Sequence, residues 1–190
     1  MSRSGYGDDN DDDPLALGLW RQAVKRALEG KRGQVLLRDL VDALDAMEDK
    51  RLHTGSFATA QGEFCTLGVL GAKRGTKMDD LGDEDDCDAA EVGQRFAIAS
   101  AMAAEIMYLN DEYAADEWTW VDVEICGPVR PYWPDYGCHT KSVCMHNDNH
   151  LAERWQSMRA WAAKQLKTPN VLHEGCTKGA AFWASPRWKG

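Results

Sequence analysis

The stretch Phe96 to Glu112, FAIASAMAAEIMYLNDE, constrains the fold more than any other part of the chain. Ile98, Met102, Ile106 and Leu109 recur every three or four residues, which makes one face of a 3.6-residue helix. Ala97, Ala101, Ala103 and Ala104 fill much of the remaining surface, so neighbouring elements can approach from several sides. The stretch is predicted to be the central helix of a bundle.

Helical periods flank it. Asp13 followed by Pro14 is a helix start, an acceptor at the N-cap and then a proline in the first turn. Trp20, Ala23, Val24, Ala27 and Leu28 make one apolar face, and Gly30 ends the helix. After the basic link Lys31-Arg32-Gly33, a second helix is predicted from about Gln34 to Glu48, burying Leu36, Leu37, Leu40, Leu44 and Met47. Its Asp39, Asp42 and Asp45 are expected to form a solvated face. A third helix is preferred to a buried strand for Gly62 to Gly75, with glycines that allow a close crossing and a basic turn before the last one. A further helix follows from Leu151 to about Leu166, with Trp155, Met158 and Ala162 on its apolar side.

These segments predict a mainly α protein. A disordered acidic tail over residues 1–12 precedes a single compact helical domain of five or six helices over 13–190, with an irregular, partly β insertion near 114–150. Within that insertion Trp118 to Ile125 alternates among β-favouring residues, as a short strand or hairpin does. No run of 18 apolar residues occurs, so no membrane span is expected. The amino terminus lacks the apolar core of a secretory signal.

Charge narrows the partners. A net charge of -9 and a pI near 5.0 oppose direct nucleic-acid binding, which depends on neutralising phosphates. The helix-turn-helix pattern around Phe96-Ala97-Ile98 is weakened likewise, because Ser100 to Leu109 carries no lysine or arginine to read base edges. The run Asp79, Asp80, Asp83, Glu84, Asp85, Asp86 and Asp88 does not fit a calcium loop, having no glycine at the sixth position of any aspartate-led frame. A solvated loop whose last acids cap the next helix is expected. Its Asp79, Asp80, Asp83, Glu84, Asp85 and Asp86 also offer a phosphate-like array to a basic protein partner.

One constellation carries ligand chemistry. Cys126, Cys138, His139, Cys144, His146 and His150 lie within a proline- and glycine-rich segment. Thiolates and imidazoles are the ligands of tetrahedral zinc, and a metal would order an insertion with little core of its own. Cys138, Cys144, His146 and His150 are the preferred set for a structural zinc, with Cys126 or His139 as substitutes. A catalytic zinc would keep three ligands and a water, with Asp148 or Glu153 as base. The competing reading makes the cysteines small buried hydrophobes and the histidines surface residues. No GxSxG, Walker or dinucleotide motif occurs, and Cys65 among apolar neighbours is expected to be inert.

The segments LLRDLVDALDAMEDKRL, GEFCTLGVLGAKRG, FAIASAMAAEIMYLNDE and RWQSMRAWAAKQL, in that order, resemble small uncharacterised phage- and prophage-encoded proteins of proteobacteria. The resemblance covers about two thirds of the chain and departs from it at 114–150. It implies a compact helical protein of the host cytoplasm, active during infection or lysogeny, and carries over no catalytic residue. The leading expectation is a non-enzymatic accessory protein that binds a host or phage macromolecule, in an anti-defence or host-takeover role. The alternatives are a zinc-dependent enzyme acting on nucleotides or nucleic acid, and a phage transcription regulator.

Overall fold

The chain is mainly α. A computed structural model describes residues 14–78, 80–81, 87–125 and 139–167. Among them stand six α-helices and a two-stranded antiparallel sheet, in the order α1 (Pro14–Glu29), α2 (Lys31–Ala46), α3 (Thr66–Arg74), α4 (Ala89–Arg95), α5 (Ser100–Tyr108), β1 (Trp118–Ile125), β2 (His139–His146) and α6 (His150–Gln165). A π-helical turn, Leu109–Tyr113, extends α5. No helix among the described residues is long and apolar enough to cross a membrane. The tail over 1–12, Asp13 and the carboxyl-terminal segment beyond Lys167 lie outside the described residues.

α1 starts at Pro14 and buries Val24 and Leu28. Gly30 separates it from α2, which begins at Lys31, three residues before the predicted Gln34. The basic link is thus the first turn of α2, and the two helices meet at a one-residue corner. Gly33 makes that corner close: a Cβ there would stand 2.1 Å from the Ala27 carbonyl oxygen. Buried Gln34 ties three helix ends together. Its Nε2 donates to the carbonyls of Leu28 (2.8 Å) and Gln165 (2.9 Å), and its Oε1 accepts from the Lys167 amide (2.8 Å).

Leu36, Leu37, Leu40 and Leu44 of α2 are fully buried, as their spacing predicted. The aspartates opposite are not merely solvated. Asp39 pairs with Arg74, and Asp45 takes both arms of Arg159 at 2.9 Å, which pins α2 to α6. Those hydrogen bonds hold the Asp45 carboxyl below its ordinary value.

The helix preferred for 62–75 occupies only Thr66–Arg74. The residues before it double back through a turn at 60–62, with a bridge between Ala58 and Phe64. Cys65 is its N-cap, Sγ accepting from the Gly68 amide at 3.4 Å, and Gly75 ends it at φ +64°. Gly68 does permit a close approach, but to the Phe57 backbone rather than to a helix: a Cβ would fall 1.8 Å from that carbonyl oxygen.

The predicted central helix is broken at its start. Phe96 to Ala99 form the turn between α4 and α5. The Ile98 amide reaches back to the Gly93 carbonyl (2.8 Å) and that of Ala97 to the Gln94 carbonyl (3.1 Å), with Ala97 at φ +57°. This is a Schellman-type helix end with alanine in the left-handed place that glycine usually takes. Gly93 supplies the space, since a Cβ there would meet the Ile98 oxygen at 3.0 Å. The apolar period survives the break: Ile98, Met102 and Ile106 are buried and Leu109 packs against the same core.

Candidate functional site

The α4–turn–α5 unit has helix-turn-helix connectivity, yet α5 is spent on the core. Ala101, Met102, Ala103, Ala104, Ile106 and Met107 are all buried, six of its nine residues. A helix that lies in a major groove must leave one long face in solvent. α5 therefore leaves only Ser100, Glu105 and Tyr108 outside the buried core.

The end of α5 carries a buried polar junction that periodicity did not reveal. Asn110, 1% exposed inside the π turn, accepts from the amide (3.1 Å) and hydroxyl (2.7 Å) of Thr66, and donates to the His53 carbonyl (2.9 Å). Arg154 of α6, 3% exposed, donates to the carbonyls of Asn110 (2.8 Å), Ala115 (2.6 Å) and Leu52 (3.4 Å). Burial lowers its pKa from the ordinary arginine value, against the opposing pull of Asp111, Asp116 and Glu117. A π turn leaves backbone carbonyls off the regular ladder, and here the guanidinium takes one of them. The junction clamps the loop 47–65, the π turn and α6 at the place where β1 departs.

β1 and β2 pair in register from Trp118 opposite His146 to Ile125 opposite His139. The insertion expected to be partly β is thus β over Trp118–Ile125 and His139–His146, and alternation assigns its faces. Trp118, Trp120, Asp122 and Glu124 share one face with Ser142, Cys144 and His146; Val121 and Val123 share the other with Lys141, Val143 and Met145. Both faces are open. Trp118 is 57% and Trp120 72% exposed, and Val121, Val123, Val143 and Met145 are exposed as well.

The base of the hairpin is bound to α6 by side chains. The Asn147 amide donates to the Glu117 carbonyl (2.7 Å) and its Nδ2 to Glu153 Oε2 (2.8 Å). The His146 ring has Asp148 Oδ1 2.7 Å from Nδ1 and Glu117 Oε1 3.4 Å from Nε2. It meets Trp118 edge-on at 5.1 Å and His150 at 5.9 Å between centroids. His150 Nδ1 lies 2.7 Å from the Asn147 carbonyl oxygen.

Of the zinc ligand set, the fold brings His146 and His150 into contact and places Cys144 on the His146 face of β2, exposed. Cys138 lies outside the described residues, as does the substitute Cys126, and among the described residues no three His, Cys, Asp or Glu side chains gather around a metal position. Of the acidic array, Asp79, Asp83, Glu84, Asp85 and Asp86 lie outside them too. Asp80 is engaged by Arg95, at 2.8 Å and 3.3 Å, and this pairing lowers its carboxyl from the ordinary value. Asp88 caps α4, as expected of the last acids of the run, accepting from the Ala90 amide at 2.7 Å.

The open apolar hairpin had a signal in the sequence. Trp118 and Trp120 stand at even positions and Val121 and Val123 at odd ones, so both faces of this strand carry large apolar side chains. Such a strand belongs between two layers, and a lone hairpin has none to offer. Comparison with protein-family models, curated proteins and solved structures returns no match.

Proposed function

We propose that the protein is a non-enzymatic accessory protein of a phage or prophage that binds a host or phage macromolecule, with the hairpin as its contact element. One observation carries this reading: two tryptophans, three valines and a methionine lie exposed on a two-stranded sheet. Large apolar side chains exposed on both faces of a hairpin mark it as an interaction element, and tryptophan is among the side chains most enriched where binding energy concentrates. The hydrogen bonds from Asn147 to Glu153 and from Arg154 to the Ala115 carbonyl support it, since a contact element held at its base loses less entropy on binding.

A photo-crosslinking amino acid at position 120, with Val35 on α2 as the control position, tests the reading in the bacterial host. A discrete product from position 120 and none from position 35 supports it. Equal products from both positions, or none from either, overturn it.

A structural zinc held by Cys138, Cys144, His146 and His150 is the second reading, favoured by the contact between the His146 and His150 rings. About one zinc per chain in elemental analysis, lost in Cys144→Ser, would support it.

A further inference from the structure

The two hairpin faces differ in what they can attract. Trp118 and Trp120 lie on the same face as Asp122 and Glu124, and the Asp122 carboxylate accepts from the Ser142 hydroxyl across the pair. The described strands with their flanks at 116–117 and 147–148 hold five carboxylates, Asp116, Glu117, Asp122, Glu124 and Asp148, against one lysine, Lys141. The face of an indole attracts a cation through its quadrupole. Carboxylates beside it add Coulombic attraction and steer the encounter.

This combination selects among occupants. Nucleic acid would bring phosphates against five carboxylates. A second copy would press one acidic face onto another in a chain of net charge -9. The geometry points to a cationic polypeptide segment, rich in arginine or lysine, as the partner of the Trp118–Trp120 face. Its side chains lie over the two indoles and its charges answer Asp122 and Glu124. This rests on the reading that the hairpin is the contact element, and adds the chemistry of what it meets.

The test is calorimetric titration of the full chain with a synthetic peptide of alternating arginine and serine, beside a glutamate–serine peptide of equal length. The arginine peptide is expected to bind, the glutamate peptide not, and raised salt to weaken the binding. Trp118→Ser with Trp120→Ser should weaken it about tenfold, the scale of two exposed cation–π contacts. Asp122→Asn with Glu124→Gln should weaken it several-fold and leaves the indoles in place. That second pair guards against misfolding in the first, and circular dichroism monitors both. Silence of the arginine peptide, or binding that neither pair of substitutions alters, overturns the proposal.

Two further outcomes also overturn it by naming another occupant. Self-association abolished by the tryptophan substitutions makes a second copy the occupant. Indoles already shielded from acrylamide in the free monomer make another part of the chain the occupant. If the peptide fails while cross-linking at position 120 still gives a discrete product, the cationic partner falls and the contact element stands. If both fail, the reading beneath falls as well.

Discussion

The helical body and the hairpin handle their side chains in opposite ways. In the body, most large apolar groups are buried, Leu15, Leu19, Val35 and Tyr113 apart, and buried polar groups find partners: Gln34, Thr66, Asn110 and Arg154 are all hydrogen-bonded. No buried side-chain polar atom among the described residues lacks a partner. In the hairpin, every described residue from Glu117 to Glu124 and from Thr140 to His146 is exposed, tryptophans included. An isolated two-stranded hairpin is marginally stable in water. This one is held at its base, by Arg154 on the Ala115 carbonyl and Asn147 on that of Glu117. The body holds most of the buried apolar surface, and the hairpin is anchored to it while leaving its own apolar surface in solvent.

Substitutions should separate the two regions sharply. The largest effect is expected at Gly68, where an alanine Cβ would collide with the Phe57 carbonyl. Gly68→Ala should cost about 3 kcal/mol or more, since backbone rather than a flexible side chain must yield; urea unfolding measures it. A loss under about 0.5 kcal/mol, within the range of surface substitutions, would mean that the body is looser than its packing indicates.

Arg154→Leu should cost about 2–3 kcal/mol, because buried carbonyls lose a charged donor. Arg154→Lys should recover only part of this, one compact ammonium being unable to span the acceptors of a planar fork. In amide hydrogen exchange, the Arg154 variants should loosen β1 and β2 before they loosen α2. Uniform loosening would break the distinction between base and body.

Acid supplies a smaller effect with a defined sign. The carboxyls of Asp45 and Asp80 are lowered in the folded state by hydrogen bonds from Arg159 and Arg95. Their ion pairs therefore contribute in full above the unfolded carboxylate value, and the contribution is lost as pH falls through the lower folded values. Asp45→Asn with Asp80→Asn should flatten the fall of the unfolding midpoint below the usual carboxylate range. Curves of equal slope would show both pairs to be idle.

The smallest effect belongs to the hairpin. Trp120→Ser, Val121→Thr and Val143→Thr should each change stability by less than about 0.5 kcal/mol, as exposed positions do. Amides of β1 and β2 should exchange through local opening, well before those of α2 and α5. A cost above about 1 kcal/mol at Trp120 would place that indole inside the fold and remove the contrast.

Much of the body was legible as pattern. The periods of α1, α2 and α6 found Val24, Leu37, Leu40 and Met158, because a helix face is a local property of spacing. The break at Phe96–Ala99 was not legible: alanine at φ +57° carries no signature in composition, and the space granted by Gly93 appears only once Ile98 folds back over it. Nor was the junction of Thr66, Asn110 and Arg154, whose members lie 44 residues apart in each step. Cys144 and His146 were singled out as ligands by residue type, yet their shared face with Trp120 and Trp118 follows from a register that no spacing predicts.

By itself, then, the sequence determined the apolar helical periods of α1, α2 and α6, that Trp118 to Ile125 is extended, and that the chain is strongly acidic. Each is set by neighbours along the chain, through period, capping and charge. Only the tertiary structure decided that α5 is largely buried in the core, that Asp45 and Asp80 are paired, and that the tryptophans of β1 face solvent. Burial and pairing belong to whatever lies across the gap, and the described residues place no second layer over Trp118 and Trp120.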